Sequence, residues 1–194
     1  MTAEKRRILL VDDDEFILKS FKTFFEKRGY DVATASTGGE AIKKAQFGFF
    51  NVGLFDIRLP DMEGTEILRQ TRGSPMVKIM VTGYPGMDNA VQSLNDGADS
   101  YVVKPVKLGE LLSLIDEKLR EREAIEEKSQ TRTLGIMEKY LNLLGDGEWW
   151  QIEKMAQELG ISRELVKKAS SFYEGRGLVA YSKRNGLVKA AIVN

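Results

Sequence analysis

Five short apolar runs, separated by stretches of helical periodicity, dominate the first 122 residues and leave few folds open to them. The runs are Arg7 to Val11, Asp31 to Ala35, Val52 to Phe55, Lys78 to Val81 and Ser100 to Val103. Each is too short for a helix and carries apolar side chains with little strict alternation, as expected of strands buried on both faces. Between them, Glu15 to Arg28, Gly38 to Gln46, Thr65 to Thr71, Asn89 to Asn95 and the segment from Leu108 onward have helical spacing. A Thr37-x-x-Glu40 capping box opens the second helix. Strands alternating with helices predict right-handed crossovers and a parallel sheet covered on both sides. The expected fold class is α/β, a (βα)5 doubly wound domain over 1–122.

The chain continues for longer than one such domain needs. Residues 123–131 combine good helix formers with few apolar side chains and are expected to be a helical linker. Leu108, Leu112, Ile115 and Leu119 repeat at coiled-coil spacing, but Arg122 and Glu126 occupy the continuation, so core packing explains them more simply. A second, small α+β domain is expected over 132–194. Met137, Tyr140, Leu141 and Leu144 mark one helix. Ile152, Met155, Ala156 and Leu159 mark another, stopped by Gly160. A third is expected from a Ser162 N-cap to Gly175, with Leu165, Val166, Ala169, Phe172 and Tyr173 turned inward. Leu178 to Tyr181 and Leu187 to Val193 would form a hairpin around Asn185-Gly186, and Trp149 and Trp150 a short strand.

Composition narrows the chemistry. The chain has no cysteine, which excludes disulfides and thiolate metal sites, and no histidine, which excludes Ser-His catalysis and any phosphohistidine donor of its own. Hydrophobic residues make up 42%, enough for buried cores. No apolar run approaches the roughly 20 residues that span a bilayer, and the start has no cleavage signature, so a cytoplasmic location is expected. The net charge is zero, yet residues 132–194 carry ten basic and seven acidic side chains, a local net of +3 that permits contact with nucleic acid.

Specific chemistry gathers where strands end. Asp12, Asp13 and Asp14 follow the first strand, Asp56 the third, Thr82 the fourth and Lys104 the fifth. In open parallel sheets the ligand site lies beyond these carboxyl ends. Carboxylates brought together there repel one another unless a cation neutralises them, and oxygen-only ligation suits Mg2+. A lysine ammonium and a hydroxyl beside them would bind phosphoryl oxygens, and phosphoryl transfer needs mainly positioning and electrostatics. Asp14 is better explained as a helix N-cap. Pro60 and Gly64 bracket the loop after Asp56, where turn chemistry is sufficient.

Taken together, Ile8-Leu9-Leu10-Val11-Asp12-Asp13-Asp14, Phe55-Asp56-Ile57-Arg58-Leu59-Pro60, Val81-Thr82-Gly83-Tyr84 and Val102-Val103-Lys104-Pro105 resemble the receiver domains of two-component response regulators. The resemblance implies a phosphoacceptor signalling protein rather than a conventional enzyme, with self-catalysed phosphotransfer and dephosphorylation. Asp56 would become an aspartyl phosphate at the expense of a sensor histidine kinase. Asp13, Asp56 and the Arg58 carbonyl would ligate Mg2+ directly, and Asp12 through water. Lys104 would bind the phosphoryl group, Thr82 and Tyr101 would form the switch, and the bond before Pro105 would be cis.

The order helix, helix, turn, helix, hairpin beyond residue 132 resembles a winged helix-turn-helix. Arg163, Lys167, Lys168 and Ser171 on the third helix, with Lys183 and Arg184 at the wing tip, would then contact DNA and regulate transcription. A homodimer is compatible with this reading. Two rivals remain: a receiver whose second domain binds protein, and a haloacid-dehalogenase-like phosphatase built on Asp12-x-Asp14, which would leave Asp56 without a role.

Overall fold

The computed structural model describes residues 5–84, 86–145, 149–175 and 179–190. It divides into two units, 1–123 and 124–194.

In the first unit the elements run β1 (Arg7–Val11), α1 (Glu15–Glu26), β2 (Asp31–Ala35), α2 (Gly38–Phe47), β3 (Val52–Phe55), α3 (Gly64–Gln70), β4 (Val77–Thr82), α4 (Met87–Asp96), β5 (Ser100–Val103) and α5 (Leu108–Leu144). All strand pairs are parallel, in the order β2-β1-β3-β4-β5. The step from β1 to both β2 and β3 is the reversal point of a doubly wound sheet, so the loops after β1 and β3 open side by side. Side chains alternate across the sheet: Leu9 and Val11 enter the layer under α2 and α3, Ile8 and Leu10 the layer under α1 and α5. This double burial is why the strands read as apolar runs.

Local signals set the helix starts. Asp14 accepts hydrogen bonds from Phe16 N and Ile17 N and so caps α1. Thr37 accepts from Glu40 N, while the Glu40 carboxylate reaches one residue further back, to Ser36 N. Leu111, Ile115 and Leu119 of α5 are buried in the sheet layer, with Leu108 and Leu112 packed against it. The leucine repeat is therefore core packing. Replacing the fully buried Ile115 by alanine would cost about 2–5 kcal/mol through the cavity left behind.

Helix α5 does not stop at the expected linker. It spans 37 residues because 123–131 contains neither glycine nor proline, and the one interior glycine beyond it, Gly135, costs only about 1 kcal/mol relative to alanine. Within the first unit its departing turn is held to the sheet by Arg122–Asp99 and Arg6–Glu123, both at 2.8 Å.

The second unit contains the C-terminal part of α5, then β6 (Trp150–Gln151), α6 (Ile152–Leu159), α7 (Arg163–Glu174), β7 (Val179–Ser182) and β8 (Leu187–Ala190). The three strands form an antiparallel sheet in the order β6-β8-β7. This is a winged-helix-like arrangement. Gly160 adopts φ +65°, which a side chain would resist, and Ile161 N closes the turn onto Ala156 O; Ser162 then caps α7. Trp150 packs against the core, whereas Trp149 is exposed. The expected strand residues Leu178 and Ala191 to Val193 lie outside the described residues.

One expectation needs correction. The buried face of α7 is Val166, Ser170 and Tyr173, while Leu165 and Phe172 are 54% and 51% exposed. A polar residue can occupy the centre of that face because Ser170 Oγ donates to Val166 O and pairs with the buried Tyr140 hydroxyl at 2.9 Å. The inward phase is thus turned away from the most apolar positions.

Candidate functional site

The carboxyl ends of β1, β3, β4 and β5 bring Asp12, Asp13, Asp56, Thr82 and Lys104 to one end of the parallel sheet. Backbone pairing sets the frame: Asp56 N donates to Val11 O, Asp12 N to Ala35 O, and Lys104 N to Thr82 O. Asp12, Asp56 and Thr82 are all buried, and Asp13 stands exposed at the rim. Carboxylate oxygens of Asp12, Asp13 and Asp56 lie within 4.8 Å of one another, a spacing at which one cation can be shared.

The hydrogen bonds within the group are unequal. Asp12 Oδ1 accepts from Asp14 N, and its Oδ2 accepts from the Lys104 ammonium at 2.6 Å. Asp56 Oδ1 stands 3.5 Å from the same ammonium and, though buried, has no hydrogen-bond partner among the described residues. Burial pushes the Asp12 carboxyl above its ordinary value, against the opposing pull of Lys104 and the Asp14 amide. Three carboxylates facing one ammonium, with a buried oxygen unsatisfied, fit a divalent cation with oxygen ligands.

Of the remaining expected residues, Thr82 is fully buried and its Oγ1 accepts from Tyr84 N. Tyr101 is half-buried and donates its hydroxyl to Tyr84 O at 3.2 Å. Both switch candidates therefore bear on the loop after β4. The Arg58 guanidinium stacks 3.9 Å over the Tyr84 ring, which joins that loop to the one after β3. The Lys104-Pro105 bond is cis.

Two contributors had no local signal. Gly64, expected as a turn residue, lies so close to Asp56 that a Cβ there would run into the Asp56 carbonyl, and its amide donates to Ile57 O at 2.6 Å. Asp61, in the same loop, accepts from Gly38 N and Gly39 N at 2.8 Å and so caps α2 together with Thr37. The partners of Asp61 are more than twenty residues away in the chain.

Residues 8–116 match the family model described as response regulator receiver domain. The chain belongs to this family. It is 34% identical over 168 residues to the alginate biosynthesis transcriptional regulatory protein AlgB of Pseudomonas aeruginosa, covering 85% of this chain and 36% of that protein. It is 31% identical over 177 residues to the transcriptional regulatory protein KdpE of Mycobacterium tuberculosis, covering 83% and 78%. The chain thus spans about a third of the length of AlgB. Among solved structures, the CheY-like receiver domain protein from Methanospirillum hungatei is 52% identical with a TM-score of 0.61, covering 62% of this chain and 98% of that one. The receiver fold here carries Asp12, Asp13 and Asp56 together at its strand ends.

The candidates for DNA contact are in the second unit. Arg163, Lys167, Lys168 and Ser171 are exposed on α7, and Lys183 and Arg184 are exposed in the turn between β7 and β8. Arg163 lies 3.5 Å from Glu153 and Lys167 3.0 Å from Glu164, both exposed pairs of little energetic weight. No described helix is long and apolar enough to cross a membrane.

Proposed function

We propose that this protein is a phosphorylation-dependent response regulator in which Asp56 accepts a phosphoryl group from a sensor histidine kinase and the second unit acts on DNA to regulate transcription. The observation that carries the reading is the buried Asp56 carboxylate, with one oxygen unsatisfied, beside an ammonium and two further carboxylates. A carboxylate oxygen of Asp56 attacks phosphorus, the bond from phosphorus to the donor nitrogen breaks, and the donor imidazole leaves. Lys104 neutralises charge on the transferring group, and the Thr82 hydroxyl donates to one of its oxygens. Asp12, Asp13, Asp56 and the Arg58 carbonyl would hold Mg2+, which supplies charge neutralisation to the phosphoryl oxygens when bound. Return of the acyl phosphate to carboxylate and inorganic phosphate requires only water.

Redirection of Thr82 from Tyr84 N toward a phosphoryl oxygen would release the Tyr84 loop, against which Tyr101 also bonds. That is a two-state element which added charge can bias. In the phosphatase reading Asp12-x-Asp14 would hold the nucleophile, but the Asp14 carboxylate is engaged as the α1 cap and Asp56 would have no role, which disfavours that rival.

Incubation with a small acyl phosphate and Mg2+ should place a hydroxylamine-sensitive phosphoryl group on Asp56. Labelling of Asp12 instead would favour the phosphatase. For the output, genomic fragments selected by the phosphorylated protein should be enriched in a common sequence and released by salt. Absence of enrichment would turn the reading toward a protein-binding second unit.

A further inference from the structure

Helix α7 has three faces rather than two. Val166, Ser170 and Tyr173 are buried; Arg163, Lys167 and Ser171 form a polar face; Leu165, Ala169 and Phe172, at 4,3 spacing, form a third. This third face is one wall of an apolar groove whose other wall is Ile136, Met137 and Tyr140 of α5. Phe172 packs edge-on against the neighbouring Tyr173 ring, with centroids 5.3 Å apart. Beside the groove, Leu134, Met137 and Leu141 are exposed on α5 at the 3,4 spacing of a helical stripe. Met137 belongs to both the groove and the stripe.

We propose that the groove seats the Leu134–Met137–Leu141 stripe of a second copy of this chain, so that two copies pair about a twofold axis through their second units. A twofold interface must be self-complementary, the same patch supplying both what inserts and what receives. A stripe and a groove that adjoin through a shared residue meet that requirement. The amount of surface agrees. Leu134, Met137, Leu141 and Leu165, between 36% and 63% exposed, present roughly 350 Å2. With the groove walls added, this approaches the apolar share of a standard interface of about 800 Å2 per partner. Charge agrees as well. Glu138 and Glu127 lie one and two turns from Leu134 on its own helix face, and Lys168 stands at the groove rim, so the paired arrangement would set a carboxylate of one copy toward an ammonium of the other. The polar face of α7 points elsewhere, so pairing leaves Arg163, Lys167 and Ser171 accessible.

The inference does not rest on the DNA reading, and its test uses neither DNA nor a phosphodonor. Sedimentation of the full chain over a concentration series should show a reversible monomer–dimer equilibrium. Leu134→Glu and Leu165→Lys should each weaken it about tenfold or more, by burying a charge without a partner. An equimolar mixture of the two variants should restore a heterodimer, because the new carboxylate faces the new ammonium. Both positions are more than half exposed, so each variant should keep the wild-type circular dichroism; Leu134→Gln and Leu165→Gln give the same comparison without new charge. The chain has no cysteine, so Leu134→Cys mixed with Leu165→Cys should yield an interchain disulfide on oxidation. A monomer at every concentration overturns the proposal, including one whose groove is covered by its own first unit. A dimer indifferent to both charged variants overturns it, as does failure of the mixture to reassociate.

Discussion

The Lys104 ammonium is bonded to Asp12 at 2.6 Å and stands 3.5 Å from Asp56. In this state it acts as the counter-ion of the neighbouring carboxylate, and it must turn only slightly to meet charge arriving on Asp56. Lys104→Met should therefore slow phosphoryl uptake from a small donor by about 10²–10³-fold, the loss of one directed charge on a developing anion. The initial rate of acyl phosphate formation measures this, with circular dichroism as a control on folding. An unchanged rate would remove Lys104 from the proposed chemistry.

Adjacent aspartates should separate by role. Mg2+ binding to the folded state alone should stabilise the receiver by about 2.7 kcal/mol when the ion is 100-fold above its dissociation constant. Asp13→Ala should abolish the rise in melting temperature between chelator and Mg2+. Asp14→Ala should lower stability by about 1 kcal/mol, because the α1 cap is lost, yet retain the Mg2+-dependent rise. Thermal unfolding of the three proteins with and without chelator checks both outcomes.

Gly64→Ala should do more than stiffen a turn. Its methyl would drive into the Asp56 carbonyl and press on Met80, so the loop must shift or the strand end must. A stability loss of about 1–3 kcal/mol is expected, with a larger proportional fall in phosphoryl uptake than in stability, because Asp56 is displaced. Urea unfolding and uptake rate measured together test this. Wild-type uptake in a destabilised variant would show the close approach to be structural only.

Lys78 offers a test by pH. It is buried on β4, its ammonium donates to the carbonyls of Ser74 and Met76, and burial pulls its pKa below the ordinary 10.5, with Asp99 pulling the other way. Between the lowered folded value and 10.5 the unfolded chain binds more protons, so this residue's contribution to stability rises with pH through that window. Wild type should therefore gain stability relative to Lys78→Met from pH 7.5 toward the alkaline limit, in denaturation of both proteins. Lysine side-chain NMR should find Lys78 titrating below the exposed lysines, and a gap that stays constant with pH would refute the shift.

Much of the receiver was legible in the chain because its determinants are local or periodic. Buried strands show as apolar runs, Asp14 and Thr37 as caps, and the strand-end aspartates as a group once the parallel order is granted. What escaped depends on contacts distant in sequence. Gly64 reads as turn punctuation, and only the folded loop brings the Asp56 carbonyl against it. Asp61 caps the N-terminus of α2, more than twenty residues earlier in the chain. In the second unit, hydrophobicity placed Leu165 and Phe172 inward, whereas the Tyr140–Ser170 hydrogen bond lets a serine take the core position.

The three faces of α7 give its twelve residues a readable grammar. In a saturation scan, damage should recur with helical period but in separate registers. Positions 166, 170 and 173 would lower protein abundance, 165, 169 and 172 would alter dosage dependence, and 163, 167 and 171 would change which promoters respond. Neighbours in sequence would thus fall into different phenotypic classes, while residues one turn apart would share one.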